Sequence, residues 1–257
     1  MFDTGDTRIH LSQNGTVAVI TLARPGKLNA LDLPMIAALE KAALHIDADN
    51  KIKAAIITGA GDRAFCAGGD IAAWSALEAE SFGLQWVRVG HRAFDALTRL
   101  RVPLIAALNG SVMGGGLELA ATADFRIAEE HIKFSLPETG LGIIPGWSGT
   151  GRAVNRFGSQ IIRRMALAGE IINAAEAVQN GLADQLTAKG GSLNAAMALA
   201  ETIAKRSAFA TSAVKMMINA ADGEDGPRAL EALGGMAAAH STELKAGLAA
   251  FAAKKKG

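Results

Sequence analysis

Apolar residues change their period along this chain. Val17–Leu22, Ala54–Thr58 and Leu104–Leu108 are short, almost unbroken apolar runs, the pattern of strands covered on both faces. Arg8–Leu11 is a further strand, predicted to pair with Val17–Leu22 around Gln13-Asn14-Gly15. Between strands the spacing lengthens to threes and fours. Asp32 can cap a helix bearing Ile36, Leu39, Ala43 and Ile46 on one face, and a long helical pattern lies between Trp74 and Leu100. After about Ser159 the strand signals fade. Ser192 is placed to cap a helix with Leu193, Ala196, Ala200 and Ile203 on one side, and Ser207–Ala220 and Ser241–Lys254 also read as helices. Strands and helices that alternate, followed by helices alone, predict an α/β core over residues 1–195 and a helical segment over 196–257, in one continuous domain without a flexible linker.

Composition narrows the function classes. A chain of 257 residues can bury about 70–75% of its unfolded surface and needs no disulfide or metal staple. The formal net charge of +1 offers no global attraction to nucleic acid or to membrane. Cys66 is the only cysteine, which excludes an internal disulfide and fits a reducing compartment. The opening MFDTGDTRIHLSQNG has neither a signal-peptide nor a transit-peptide pattern, and the longest apolar stretch is interrupted by Glu118 and Asp124. A cytoplasmic protein is expected.

Several chemistries lack their motifs. Neither G-x-G-x-x-G after a strand nor G-x-x-x-x-G-K-[ST] occurs. Gly146-Trp147-Ser148-Gly149-Thr150 is like a nucleophile elbow but ends in threonine. His10, His45, His91, His131 and His240 have no ligand spacing, so no metal is expected. Two glycine-rich breaks remain, AFCAGGDI (Ala64–Ile71) and NGSVMGGGLELA (Asn109–Ala120), each after a strand signal and each able to open a helix. Either alone is an ordinary strand-to-helix turn. Together, two unsatisfied helix-start N–H groups can converge on a developing oxyanion, and glycine lets a carbonyl approach them. Glu118, three residues after Gly115, lies on roughly the same helix face. Glu138, in FSLPETGLGIIPG, is a second acid among apolar residues, although Pro137-Glu138 is also how a helix starts.

ARPGKLNAL, AFCAGGDI, PLIAALNGSVMGGGLELAATADFRIA and FSLPETGLGIIPGWSGTGR resemble the enoyl-coenzyme A hydratase/isomerase (crotonase) superfamily, from about Arg8 to Lys256. The resemblance implies an α/β spiral of ββα turns with a C-terminal helical trimerisation region, assembled as a homotrimer or a homohexamer. It implies an acyl-CoA substrate, with no cofactor beyond the coenzyme A carried by that substrate, and neither nucleic acid nor membrane as partner. The thioester carbonyl would be polarised by the amides of Gly69 and Gly115, and the reacting water held by Glu118 and Glu138. Coenzyme A would meet Ala67, Gly68, Asp70 and Ile71 on one loop and Arg24, Lys27 and Leu28 on another, with Arg24 and Lys27 towards phosphate. Phe251 and Lys254 would approach the coenzyme, often that of a neighbouring subunit.

Three positions depart from the commonest hydratase pattern. Gly69 stands where alanine is frequent, Gly26 where a basic residue is usual, and Trp147 among what are usually small residues. Trp147 can limit acyl chain length, redirect the substrate's tail, or serve packing alone. Rival readings are an enoyl-CoA isomerase, which needs only the Glu138 carboxylate, a specialised hydroxyacyl-CoA dehydratase, and, more remotely, an RNA-binding scaffold. Two glutamates favour hydration of an enoyl-CoA 2,3 double bond.

Overall fold

The computed structural model describes residues 2–254, without the side chains of 253 and 254. Ten strands form two sheets: β1 (Ile9–Asn14), β2 (Val17–Leu22), β3 (Ala54–Gly59), β4 (Ala64–Cys66), β5 (Leu104–Leu108), β6 (Ser111–Met113), β7 (Phe125–Glu129), β8 (Lys133–Ser135), β9 (Ile172–Asn173) and β10 (Gln185–Thr187). The larger sheet runs β1-β2-β3-β5-β7-β10 and the smaller β4-β6-β8-β9. β1 and β2 are an antiparallel hairpin, with Asn14 opposite Val17, and every other pair in the larger sheet is parallel.

Two-sided burial explains the unbroken apolar runs. On β3, Ala55 and Ile57 face the main core while Ala54 and Ile56 face a second cluster; on β5, Leu104, Ala106 and Leu108 divide from Ile105 and Ala107 in the same way. The helix Leu33–Ala48 covers the first face with Met35, Ile36, Leu39 and Ile46, its N-terminus capped by Asp32 accepting from the Met35 N–H at 3.1 Å. The helix Ser192–Ala204 covers the second with Ala196, Ala200 and Ile203. It runs through residues 195 and 196, so one helix connects the sheet to the C-terminal helices Ala208–Ala221, Gly226–Ala239 and Thr242–Lys254.

Four local expectations are corrected. Strands do not end at Ser159: β9 and β10 follow. β10 is short and largely exposed, so no apolar run marks it. It is held at the sheet edge by Asp184, whose Oδ2 accepts from the Arg126 N–H at 2.7 Å, and by the Glu130 N–H donating to Thr187. Ser192 does not cap its helix. It is the first helical residue, and buried Glu129 on β7 accepts from both its hydroxyl (2.8 Å) and its N–H (3.3 Å). Leu193 is exposed. Finally, the single long helix between Trp74 and Leu100 is instead the turns Ile71–Trp74 and Ala79–Ser81, a π-helical stretch Phe82–Val87, and the helix Arg88–Thr98.

Candidate active site

The two glycine loops adjoin. β4 ends at Cys66 and β6 at Met113, parallel neighbours in the smaller sheet, so the chain leaves both in the same direction. Gly68 and Gly115 are in contact: a Cβ on Gly68 would lie 2.9 Å from the Gly115 nitrogen. Gly115 opens the helix Gly115–Ala120, where N–H groups have no intrahelical acceptor. Among the described residues, neither the Gly69 nor the Gly115 N–H donates a hydrogen bond. Gly69, Gly115, Glu118 and Glu138 all line one cavity of about 50 Å³, walled by Trp74, Phe82, Trp86, Ile143 and Trp147.

The two acids differ in their support. Glu118 is carried inward by the helix that Gly115 begins and is 2% exposed. Its Oε1 accepts from the Trp147 N–H at 2.7 Å and the Gly149 N–H at 2.6 Å. Burial pushes its pKa up to about 7, with the nearby Glu138 charge adding to the rise and the two N–H donors opposing it. Glu138 begins the short 3₁₀ turn Glu138–Leu141 behind Pro137, so the helix-start reading and the cavity-lining position hold together. Its Oε2 is buried with no hydrogen-bond partner among the described residues, and burial raises its pKa. Its Oε1 passes Gly114, where a Cβ would come within 2.5 Å; Gly114 also has φ +51°, so only glycine suits this corner.

The residues expected to meet coenzyme A lie along one line. The Ala67 N–H donates to Leu28 (3.0 Å), the Leu31 N–H to Gly68 (2.8 Å) and the Asp70 N–H to Leu31 (2.7 Å). Asn29, at φ +55°, ties this seam to the sheet by donating to Ala60 and Ala64. Lys27 and Ile71 are exposed beside it. A second cavity of about 100 Å³, lined by Pro25, Leu28, Gly61 and Arg63 among others, adjoins the seam. Arg24 is engaged within the protein: its guanidinium pairs with Asp70 at 2.8 Å and donates to Ala30 at 2.9 Å. Asp70 also caps the Ile71–Trp74 turn through the Ala72 N–H. Phe251 is exposed on Thr242–Lys254 and is not among the residues lining the small cavity; the Lys254 side chain lies outside the described residues.

Neither motif nor spacing marks Trp74, Phe82 or Trp86 as cavity residues, nor the Trp147 and Gly149 amides that hold Glu118. The departure at GWSG was the only signal for the last pair. Among the described residues no three His, Cys, Asp or Glu side chains are grouped to hold a metal, and no helix is long and apolar enough to cross a membrane. Cys66 is buried, its thiol pushed up to about 12 by that burial.

A two-sheet α/β fold with paired glycine amides and two buried glutamates at one cavity defines a crotonase-type protein. The sequence profile described as enoyl-CoA hydratase/isomerase matches residues 12–257, and the chain belongs to that family. It is 35% identical over 212 residues to the short-chain-enoyl-CoA hydratase of Clostridium acetobutylicum, covering 81% of this chain and 80% of that one. It is 38% identical over 181 residues to the crotonyl-CoA hydratase of Syntrophomonas wolfei, covering 69% and 68%. The crystal structure of an enoyl-CoA hydratase from Bacillus anthracis superposes with a TM-score of 0.80 at 30% identity, covering 96% of this chain and 97% of that one.

Proposed function

We propose that the protein is an enoyl-CoA hydratase that adds water across the 2,3 double bond of an enoyl-CoA thioester. The observation that carries this reading is the convergence of Gly69, Gly115, Glu118 and Glu138 on one cavity. Hydration places the water oxygen on C3 and a proton on C2, with the electron pair of the double bond passing through a thioester enolate. The Gly69 and Gly115 N–H groups are the donors for that enolate oxygen, each worth about 3–4 kcal/mol of barrier. One carboxylate accepts a proton from the attacking water and one carboxyl delivers a proton to C2. Two neighbouring acids, both held above the ordinary carboxylate range by burial, readily keep one proton between them. The Glu138 charge adds to the rise at Glu118, so the two titrations are coupled.

The coenzyme is proposed to lie along the seam of Ala67, Gly68, Asp70 and Ile71 with Leu28, its adenosine end towards the cavity beside Arg63. Lys27, rather than the engaged Arg24, supplies charge for phosphate. Phe251 and Lys254 are proposed to act across a subunit boundary in a homotrimer or homohexamer.

Glu118→Gln and Glu138→Gln should each lower crotonyl-CoA hydration by roughly 10²–10⁴-fold, followed as loss of the conjugated double bond and checked by product mass. Circular dichroism should be unchanged. Near-native turnover in both variants removes the hydratase reading. Double-bond migration without added water, sensitive only to Glu138, replaces it with an isomerase.

A further inference from the structure

We infer that Trp147 ends the acyl pocket at a four-carbon chain, which makes it the specificity-determining residue of the site; this deepens the hydratase reading and rests on it. The indole crosses the face of both glycine loops. A Cβ on Gly115 would meet its six-membered ring at 2.7 Å, and one on Gly69 would meet it at 3.4 Å and the Trp86 ring at 2.7 Å. The departure to glycine at 69, where alanine is frequent in the resembled family, is thus the space that this aromatic wall requires.

The ring has no room to swing aside. Trp147 is 2% exposed. Its Nε1–H donates to the Trp86 carbonyl at 3.3 Å, and it packs against Trp86 and Phe94 with centroids 5.3 and 5.2 Å away. On its other side the bare backbone of Gly90 forms a slot: a Cβ there would lie 2.0 Å from Nε1. The π-helical stretch Phe82–Val87 completes the wall, with both Phe82 and Trp86 on the cavity. Buried aromatic side chains in close packing yield little to an added methylene.

The remaining space is commensurate with a short substrate. A water needs about 10–15 Å³ of such volume, so the cavity of about 50 Å³ accepts about four groups of that size. A but-2-enoyl group already fills such a space with its carbonyl, C2, C3, C4 and the attacking water. A hexenoyl or octenoyl tail adds two or four more and meets the indole.

Calorimetric titration with saturated butyryl-, hexanoyl- and octanoyl-CoA, which cannot be hydrated, tests pocket length independently of turnover. The native protein should bind butyryl-CoA at least about 10-fold more tightly than octanoyl-CoA. In parallel, native kcat/KM should fall roughly 100-fold or more from crotonyl-CoA to oct-2-enoyl-CoA. Trp147→Ala should bring both comparisons to within a fewfold by improving the long substrates. Trp147→Phe, which keeps an aromatic ring against Phe94, should admit hexanoyl-CoA before octanoyl-CoA. Equal binding of butyryl- and octanoyl-CoA by the native protein overturns the inference whether or not either variant folds. A native binding preference without any hydration would instead sink the proposed activity and leave the pocket assignment standing.

Discussion

At the scale of single residues, Glu118 is a buried acid that the fold holds at a cost. Folded, it holds its proton up to a pH of about 7, against an ordinary value of 4.5. The sign follows directly. Below pH 4.5 both folded and unfolded chains carry the proton, and the contribution to stability is complete. As pH rises through 4.5 the unfolded chain releases its proton first, and the contribution is lost by about pH 7. Glutamine keeps an oxygen for the Trp147 and Gly149 donors and cannot ionise. Glu118→Gln should therefore stabilise the protein by up to about 3 kcal/mol at pH 8 and by much less at pH 5, read from urea unfolding at the two values. A gain independent of pH would show that no burial cost sits on this carboxylate. The same variant is expected to lose activity, so stability and turnover should move in opposite directions, as they do where function retains a strained group.

At the scale of elements, the loop that supplies the Glu118 donors is itself held by charge. Arg152, on the helix Arg152–Phe157 that follows this loop, has a side chain only 4% exposed. It reaches Asp95 on Arg88–Thr98 at 2.6 Å and Glu224, between the helices Ala208–Ala221 and Gly226–Ala239, at 2.7 Å. Ser148, at φ +83°, adds a contact from its hydroxyl to His91 Nδ1 at 3.1 Å, and burial lowers the pKa of that imidazole. Removing a buried partner strands the remaining charge. Glu224, whose side chain is 8% exposed, should cost about 3–5 kcal/mol when changed to alanine. Asp95, at 29% exposed, should cost clearly less, because water can replace it. Equal losses in urea unfolding would contradict this division. None of this network was legible in the sequence, since Asp95, Arg152 and Glu224 are brought together only by the tertiary fold. The Glu129 contact to Ser192 escaped for the same reason. By contrast the Asp32 cap, which acts on a residue three positions away, was readable from local pattern, as were β2, β3 and β5 from their two-sided burial.

At the scale of the whole molecule, the C-terminal helices leave large apolar side chains uncovered. The glycine loops and both glutamates were visible beforehand because adjacent residues of fixed type build them. The aromatic wall was not, because Phe82 and Trp86 stand four apart as on any helix face, and only the tertiary fold sets that face on the cavity. The exposed faces of the last helices form a third case, in which the pattern is clear and its partner is absent from a single chain. Phe209, Val214, Met217, Ile218, Leu230 and Leu248 are all more than half exposed. Val214 and Ile218 also line a cavity of about 510 Å³ with Phe125. Exposed apolar side chains gathered at one groove mark interaction surfaces, and self-association through Ala208–Ala221 would cover Val214 and Ile218. Light scattering on the purified protein should give a mass of three or six times 26.5 kDa. Ile218→Asp, which puts a charge into the centre of that face while leaving Glu118 and Glu138 untouched, should lower the mass to one subunit. A native mass of 26.5 kDa would mean that this surface serves something other than a second copy of the chain, and would also remove any route by which a neighbouring Phe251 could reach the coenzyme.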